Sequence, residues 1–565
     1  MKKALCLLLA FAVAASCLSI AAFAETDAVY DGDVCRDNFL RITSASAFGQ
    51  GESENLTVDE TVGDGALVLS EGQTEGTWIS PVFTLPAFEY AVASWGADTP
   101  GGSWVEIRAR AYVDAKDAWC DWLSWGKWGV GIKRSSTDQS NDLCLIDCDT
   151  FTVRGSDGET ASQMQIMAVL HADGSGASPA LRNVAMSLKN TLDGQAIPVF
   201  DPYADEELPE KVLLDSPCYS QMIRDSAIGN VICSPTSMTM ILNDRDPALD
   251  LFPEETALRE YDFHYEGFGN WSYTVAIAGS YGYSAIAHYA DLDFVRHELA
   301  HGRNVALSVR YSTGSGAEYY LENGAISSTS GHLITVVGYE TVDGVDYFYS
   351  NDSAANSDVS CAQRRYRADQ LENCWPSRIA YVVADEPEQN AGFAAPVRVE
   401  AALSADAENP GRFDLTVGGE KVELNQKFSA KTGVMGAGTC LLILDDAAVA
   451  DLPAPTRTTT ANSFMTYLNV SGGQVSFADY ILADNAGKSG TVYVICNDGV
   501  TYVAPVTFPE QEAAPAEDAS PAEDIAPEAQ SEKAAPEMKN VLLIAAAVLV
   551  AAALVFVFVK KGKKK

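Results

Sequence analysis

Short runs in which apolar and polar residues alternate recur along most of the chain. Between residues 25 and about 205 they include TWISPVFTL, YAVASW, WVEIRARAYV and ASQMQIMAVL, separated by Gly, Asp and Pro turns. A period of two puts every other side chain on one face, so these runs predict half-buried strands at the spacing of a sandwich. Residues 391–508 repeat the texture in RFDLTVGG, TCLLILDD, QVSFADYIL and GTVYVICNDGVTYVAPV. The block between them, 206–390, mixes periods. It has an apolar helical run after Cys233, an amphipathic stretch LDFVRHELA, and strand-like ALSVRY, HLITVVGYE and YFYSND. The pattern predicts a multidomain chain, an α+β unit flanked by two β-rich, sandwich-like units.

The two ends break this pattern. Lys2-Lys3, the apolar run LCLLLAFAVAA and Ala22-Phe23-Ala24 before Glu25 describe a secretory signal peptide over 1–24. Residues 509–539 are Pro, Ala and Glu with almost no large apolar side chain, which predicts an extended, disordered stalk. Residues 541–559 carry no charge and are long enough to cross a bilayer of about 30 Å. The lysines of the tail, 560–565, put the cytoplasm on their side. The expectation is a C-terminal transmembrane helix at 540–559, single-pass, with the folded units outside the cell membrane and possible contact with the cell wall.

Charge narrows the partners. The chain of 565 residues has 77 acidic and 38 basic residues, a net charge of −39. Eight of the lysines sit at the termini, which leaves 30 basic against 77 acidic residues in 25–538, a net charge of −47. A nucleic-acid partner requires clustered Lys and Arg and is excluded on this ground.

Chemistry concentrates in the middle block, which holds five of the six histidines. Cys233 precedes Ser-Pro-Thr-Ser and an apolar run, so it begins a helix with Pro235 in the first turn. A helix N-terminus favours the thiolate. Downstream, GHLITVVGYETVDGVDYFYSNDSA reads as strand, Asp343-Gly344 turn and strand. A hairpin centred on that turn sets His332 opposite residue 355, within about three positions of Asp352. A nucleophilic Cys needs this kind of pair, an imidazole to take its proton and a carboxylate to orient the imidazole. Asn351 could orient it instead, and strand alternation lets only one of the two face the histidine.

Five stretches in order give this block a family likeness: SQM with Gln221, CSPTSMTMIL with Cys233, GFGNWSYTVAIAGSYGYSA, HGRNVALSVRY, and GHLITVVGYE followed by SNDSA and RRYRADQLENCW. The block resembles the extracytoplasmic, papain-like relatives of bacterial cysteine peptidase family thirty-nine, which includes the double-glycine leader peptidases. The resemblance implies an α+β papain-like peptidase domain with Cys233 as nucleophile, His332 as general base and acid, Asp352 as orienting carboxylate and Gln221 as oxyanion-hole donor. Ser353 stands where the family usually has Pro. The N-terminal block looks like the region that precedes this peptidase in secreted proteins, through SPVFTLPAFEYAVASWGADTPGGSWVEIRARA and SWGKWG. No metal or organic cofactor is implied.

Rival readings remain. His297-Glu298-Leu299-Ala300-His301 fits the H-E-x-x-H zinc motif with Glu322 as a distant third ligand. The helix would have to end at once, and two surface histidines are the better expectation. Trp104, Trp119, Trp122, Trp125 and Trp128 suit a sandwich core better than a ligand platform. Of ten cysteines after residue 24, Cys361–Cys374 and Cys440–Cys496 are the plausible pairs. The reading is a membrane-anchored, extracellular cysteine peptidase acting on peptide or protein substrates. The alternatives are a non-catalytic surface binding or adhesion protein on the same scaffold, or an amidase or transpeptidase of wall peptides.

Overall fold

The computed structural model describes residues 32–508, apart from 156–157, 386, 388–396, 410, 425, 430–433, 446–464 and 479–485. The expected signal segment, stalk, apolar span 540–559 and basic tail therefore lie outside the described residues. The described residues all fall within one compact unit, 1–511.

Residues 34–189 form two antiparallel sheets. One centres on the pair Tyr90–Asp98 and Ala180–Lys189, with Val184 opposite Trp95. The other centres on Trp104–Val113 and Ala161–His171, with Ile107 opposite Ala168. Alternation is visible in Trp104–Val113, where Val105, Ile107, Ala109, Ala111 and Val113 are all fully buried. These side chains meet Val92, Trp95 and Val184 of the first sheet in one core.

The middle sheet runs, edge to edge, Ala285–Tyr289, Ile379–Val383, Val305–Ser312, Ser328–Val342, Val345–Asn351 and Arg364–Arg367. Helix Cys233–Arg245 packs on it with Ser234 to Asn243 buried throughout. The Asp343-Gly344 turn has φ of 52° and 78°, the left-handed pair of a two-residue hairpin, for which Asp-Gly is suited. Val342 pairs with Val345 and Gly338 with Tyr349, but Val336 pairs with Ser350. Val337 is thus an extra residue, a bulge that shifts the ladder by one position beyond it. Residues 397–508 add a last sheet in which Gly438–Leu444, Ser489–Cys496 and Val500–Thr507 are neighbours.

The three blocks share buried side chains. Trp125 and Trp128 contact the helix Trp271–Ser280 in a common core with Met238. Phe252, Leu258 and Tyr261 pack with Phe428, Leu441 and Ile495. Arg134, fully buried, donates to the carbonyl oxygens of Leu258 at 2.7 Å and Asn497 at 2.8 Å, so one guanidinium ties all three blocks together.

This architecture corrects the expected fold class. Strand makes up 44% of the described residues and helix 15%, so the chain is mostly β rather than built around an α+β papain-like unit. The helical periods in the middle block fold into short segments, such as the nine residues Leu292–Ala300, while the strands continue through it. Among the described residues no helix is long and apolar enough to cross a membrane; the expected transmembrane helix at 540–559 lies outside them.

Candidate active site

Cys233 is the first residue of its helix, and Ser234 and Pro235 follow in the first turn, where backbone N–H groups have no intrahelical acceptor. The thiol is half-buried. His332 comes from Ser328–Val342 and lies opposite Val309 of the neighbouring strand. Asp352 directly follows the strand Val345–Asn351.

The His332 ring hydrogen-bonds Asp352 Oδ1 through Nε2 at 2.8 Å, leaving Nδ1 as the ring nitrogen available to the Cys233 thiol. Asp352 is fully buried and accepts further bonds from the Tyr366 hydroxyl at 2.8 Å, the Tyr311 hydroxyl at 3.3 Å and the Ala354 N–H at 3.1 Å. Burial opposes the Asp352 charge, but His332, Tyr366 and Ala354 outweigh it and hold the carboxyl below its usual range. Burial likewise pushes His332 down, yet Asp352 and then Cys233 raise it to about 10. For Cys233 burial opposes the thiolate, and the bond and charge of His332, with the Leu333 backbone, bring the thiol below its ordinary value. The arrangement favours a thiolate–imidazolium pair over two neutral groups.

Asn351 points elsewhere: its side-chain nitrogen donates to the Pro217 carbonyl at 3.1 Å and its oxygen accepts from the Gln363 N–H at 2.9 Å. Gln221 is buried in the short turn Gln221–Ile223 and lines the same cleft as Cys233 and His332. Its backbone N–H donates to the Ser353 carbonyl at 2.8 Å, and the Ser353 hydroxyl donates to Gln221 Oε1 at 2.8 Å. With its oxygen held by Ser353, the amide leaves its NH₂ free as a donor.

Cys233 and His332 lie where two depressions meet. One, about 550 Å³, has Gln221, Met222, Val231, Phe268 and Ile326 among its lining. The other, about 480 Å³, is walled by Asp147, Asp149 and Thr152 of the N-terminal block, facing Trp271 and Leu333. Tyr265 and Phe268 border both.

Comparison with known families matches residues 37–188 to the peptidase C39 N-terminal domain and residues 213–381 to the peptidase C39-like family. The chain is a relative of the C39 peptidases. No curated protein matches it. Among solved structures, a carbohydrate-binding module described for mannan recognition aligns at 14% identity over 27% of this chain and 99% of its own, with a TM-score of 0.16. An insecticidal crystal protein aligns at 10% identity over 26% of this chain and 21% of its own, with a TM-score of 0.14. Neither likeness carries an argument at such scores.

In this C39 relative the H-E-x-x-H residues are committed to other partners. His297 bonds Asp201 at 2.7 Å, Glu298 is buried against Arg303 at 2.7 Å, and His301 bonds Glu206 at 2.9 Å while stacking on Tyr203. Glu322 is exposed. Among the described residues no group of three or more His, Cys, Asp or Glu side chains is arranged to hold a metal. The tryptophans divide: Trp125 and Trp128 are core, whereas half-buried Trp119 and Trp122 flank Arg110 at 5.1 and 4.8 Å.

Cys361 and Cys374 belong to different cores, and although Cys440 and Cys496 share one core on adjacent strands, all four are free thiols in the structure, so neither expected pair is formed. Sequence reasoning missed Tyr311, Tyr366 and the part taken by Ser353. Tyr366 sits in the quoted RRYRADQ, but a tyrosine there carries no signal of its own. Ser353 was visible only as the departure from Pro.

Proposed function

We propose that this C39 relative is a cysteine peptidase and that Cys233, His332, Asp352 and Gln221 carry its chemistry. The observation that supports this most is the unbroken chain from a half-buried thiol at a helix N-terminus, through His332, to a carboxylate held by two tyrosines. In the resting pair Cys233 is the thiolate and His332 the imidazolium. Cys233 Sγ attacks the carbonyl carbon of a peptide bond in the cleft, and the electron pair moves onto the carbonyl oxygen. The Cys233 backbone N–H and the Gln221 NH₂ are the donors available to that oxyanion. Collapse breaks the C–N bond as His332 gives its proton to the leaving amine. A water then attacks the thioester with His332 as base, and Cys233 departs as thiolate. Asp352 stays ionised throughout and holds the ring with Nδ1 toward sulfur.

Cleavage of a mixed peptide library by the full chain tests this reading. Cleavage should persist in a metal chelator, vanish in Cys233→Ala and fall by about 10²–10³-fold in Gln221→Ala, the usual consequence of losing one oxyanion donor. Equal cleavage by wild type and Cys233→Ala, or none by either under reducing conditions, would count against it.

A further inference from the structure

The seam beside the candidate active site contains a second pair of cysteines. Cys218 is half-buried and packs against buried Cys361 in a small core with Tyr219, Met240 and Ala355. Burial, and then the neighbouring Cys218, push the Cys361 thiol well above its ordinary value. Cys218 Sγ also lies 3.6 Å from the carbonyl oxygen of Asp358, in the helical turn that ends at Cys361. Cys361 Sγ lies 3.7 Å from the carbonyl oxygen of Tyr219, next to Cys218. Each sulfur therefore reaches across to the other's segment.

The two segments are already zipped. The Ser220 N–H donates to Asp358 and its hydroxyl to the Ala355 carbonyl. The Gln221 N–H bonds the Ser353 carbonyl at 2.8 Å, and the Asp352 N–H bonds the Cys361 carbonyl at 3.1 Å. The loop between the two cysteines contains Cys233, His332 and Asp352.

We propose that Cys218 and Cys361 form a disulfide that staples the Gln221 segment to the Asp352 segment. The oxidant is a low-molecular-weight disulfide. Half-buried Cys218 reacts first: its thiolate attacks one sulfur, the S–S bond breaks, and one thiol leaves after taking up a proton. The Cys361 thiolate then attacks the Cys218 sulfur of the mixed disulfide and releases the second thiol. Two cysteines are oxidised, one disulfide is reduced to two thiols, and no other reagent is needed. Cys120 and Cys144 also share a core, but both are buried in the N-terminal block, without the entry that Cys218 offers. The pairing does not rest on the peptidase reading; only its value for fixing Gln221 does.

The test is disulfide mapping. The full chain is reduced, freed of reductant, incubated with oxidised glutathione, alkylated and digested without reduction. A peptide linking Cys218 to Cys361 is expected, and Cys218→Ser should abolish it. Thermal unfolding is the second readout: reductant should lower the Tm of the oxidised wild type and leave that of Cys218→Ser unchanged, because the bridge constrains the unfolded chain. Recovery of Cys361 as a free thiol with Cys218 glutathionylated, or of Cys361 linked to Cys374, would overturn the proposal. Neither readout uses catalysis, so an inactive protein would leave the result interpretable.

Discussion

Ser353 illustrates how one side chain can set a donor. Proline there would offer no hydroxyl, whereas Ser353 holds Gln221 Oε1 at 2.8 Å and thereby turns the amide NH₂ outward. Ser353→Ala should lower kcat by roughly fivefold to tenfold, the scale of one net hydrogen bond, with KM nearly unchanged; a loss seen only in KM would mean that Gln221 is not oriented this way. At this scale the sequence was informative where chemistry and local geometry coincide. Cys233 announces itself by the helix start, and His332 and Asp352 by the hairpin that returns one toward the other. Tyr311 and Tyr366 were illegible, because each reaches Asp352 from a separate strand. Cys361 was paired with Cys374 because both lie within one block of the sequence, whereas the fold brings it to Cys218 through tertiary packing.

The hairpin Ser328–Asn351 is the element that assembles the site. Its turn was readable from Asp343-Gly344, and the register follows that reading as far as Gly338. The bulge at Val337 was not readable, since an extra valine in an apolar run alters no pattern. Gly344 has φ of 78° and open space around a would-be Cβ, so the obstacle to substitution is backbone conformation alone. Gly344→Val should destabilise the protein by about 1–2 kcal/mol, measured as a lower urea midpoint, while peptide cleavage by the folded protein stays at the wild-type level. An unchanged midpoint would mean the turn does not hold this conformation. Strands were the most legible elements because their period is short and their flanks carry turn residues. The mostly β balance of the chain was missed because the middle block's helical runs were given too much weight against its sheet.

At the scale of the whole molecule, the blocks distinguished in sequence share buried cores within residues 1–511. Nothing local reveals that Arg134 will donate to carbonyls more than a hundred residues away. Asp149, Glu260 and Asp358 are also drawn into this interior, and burial raises each to about 7. Their unfolded values lie near 4, so between about pH 4 and pH 7 the folded chain binds more protons than the unfolded one. Stability from these groups is therefore greatest at the acid end of that window and declines as pH rises through it. Buried His288, depressed to about 4, works in the opposite sense up to about pH 6.5, but the three carboxyls outnumber it, so the urea midpoint should be lower at pH 7.5 than at pH 5; a midpoint that rises over this interval would contradict this prediction.

The proposed chemistry requires Cys233 to be a thiolate held by His332 and Asp352. Its most direct test is the pH dependence of Cys233 alkylation by iodoacetamide, followed by mass spectrometry in wild type and in Asp352→Asn. In the wild type the midpoint should fall below the ordinary thiol value of about 8.5. In Asp352→Asn it should move up toward that value, because His332 loses the charge that keeps it protonated. A midpoint near 8.5 in both proteins would contradict the account.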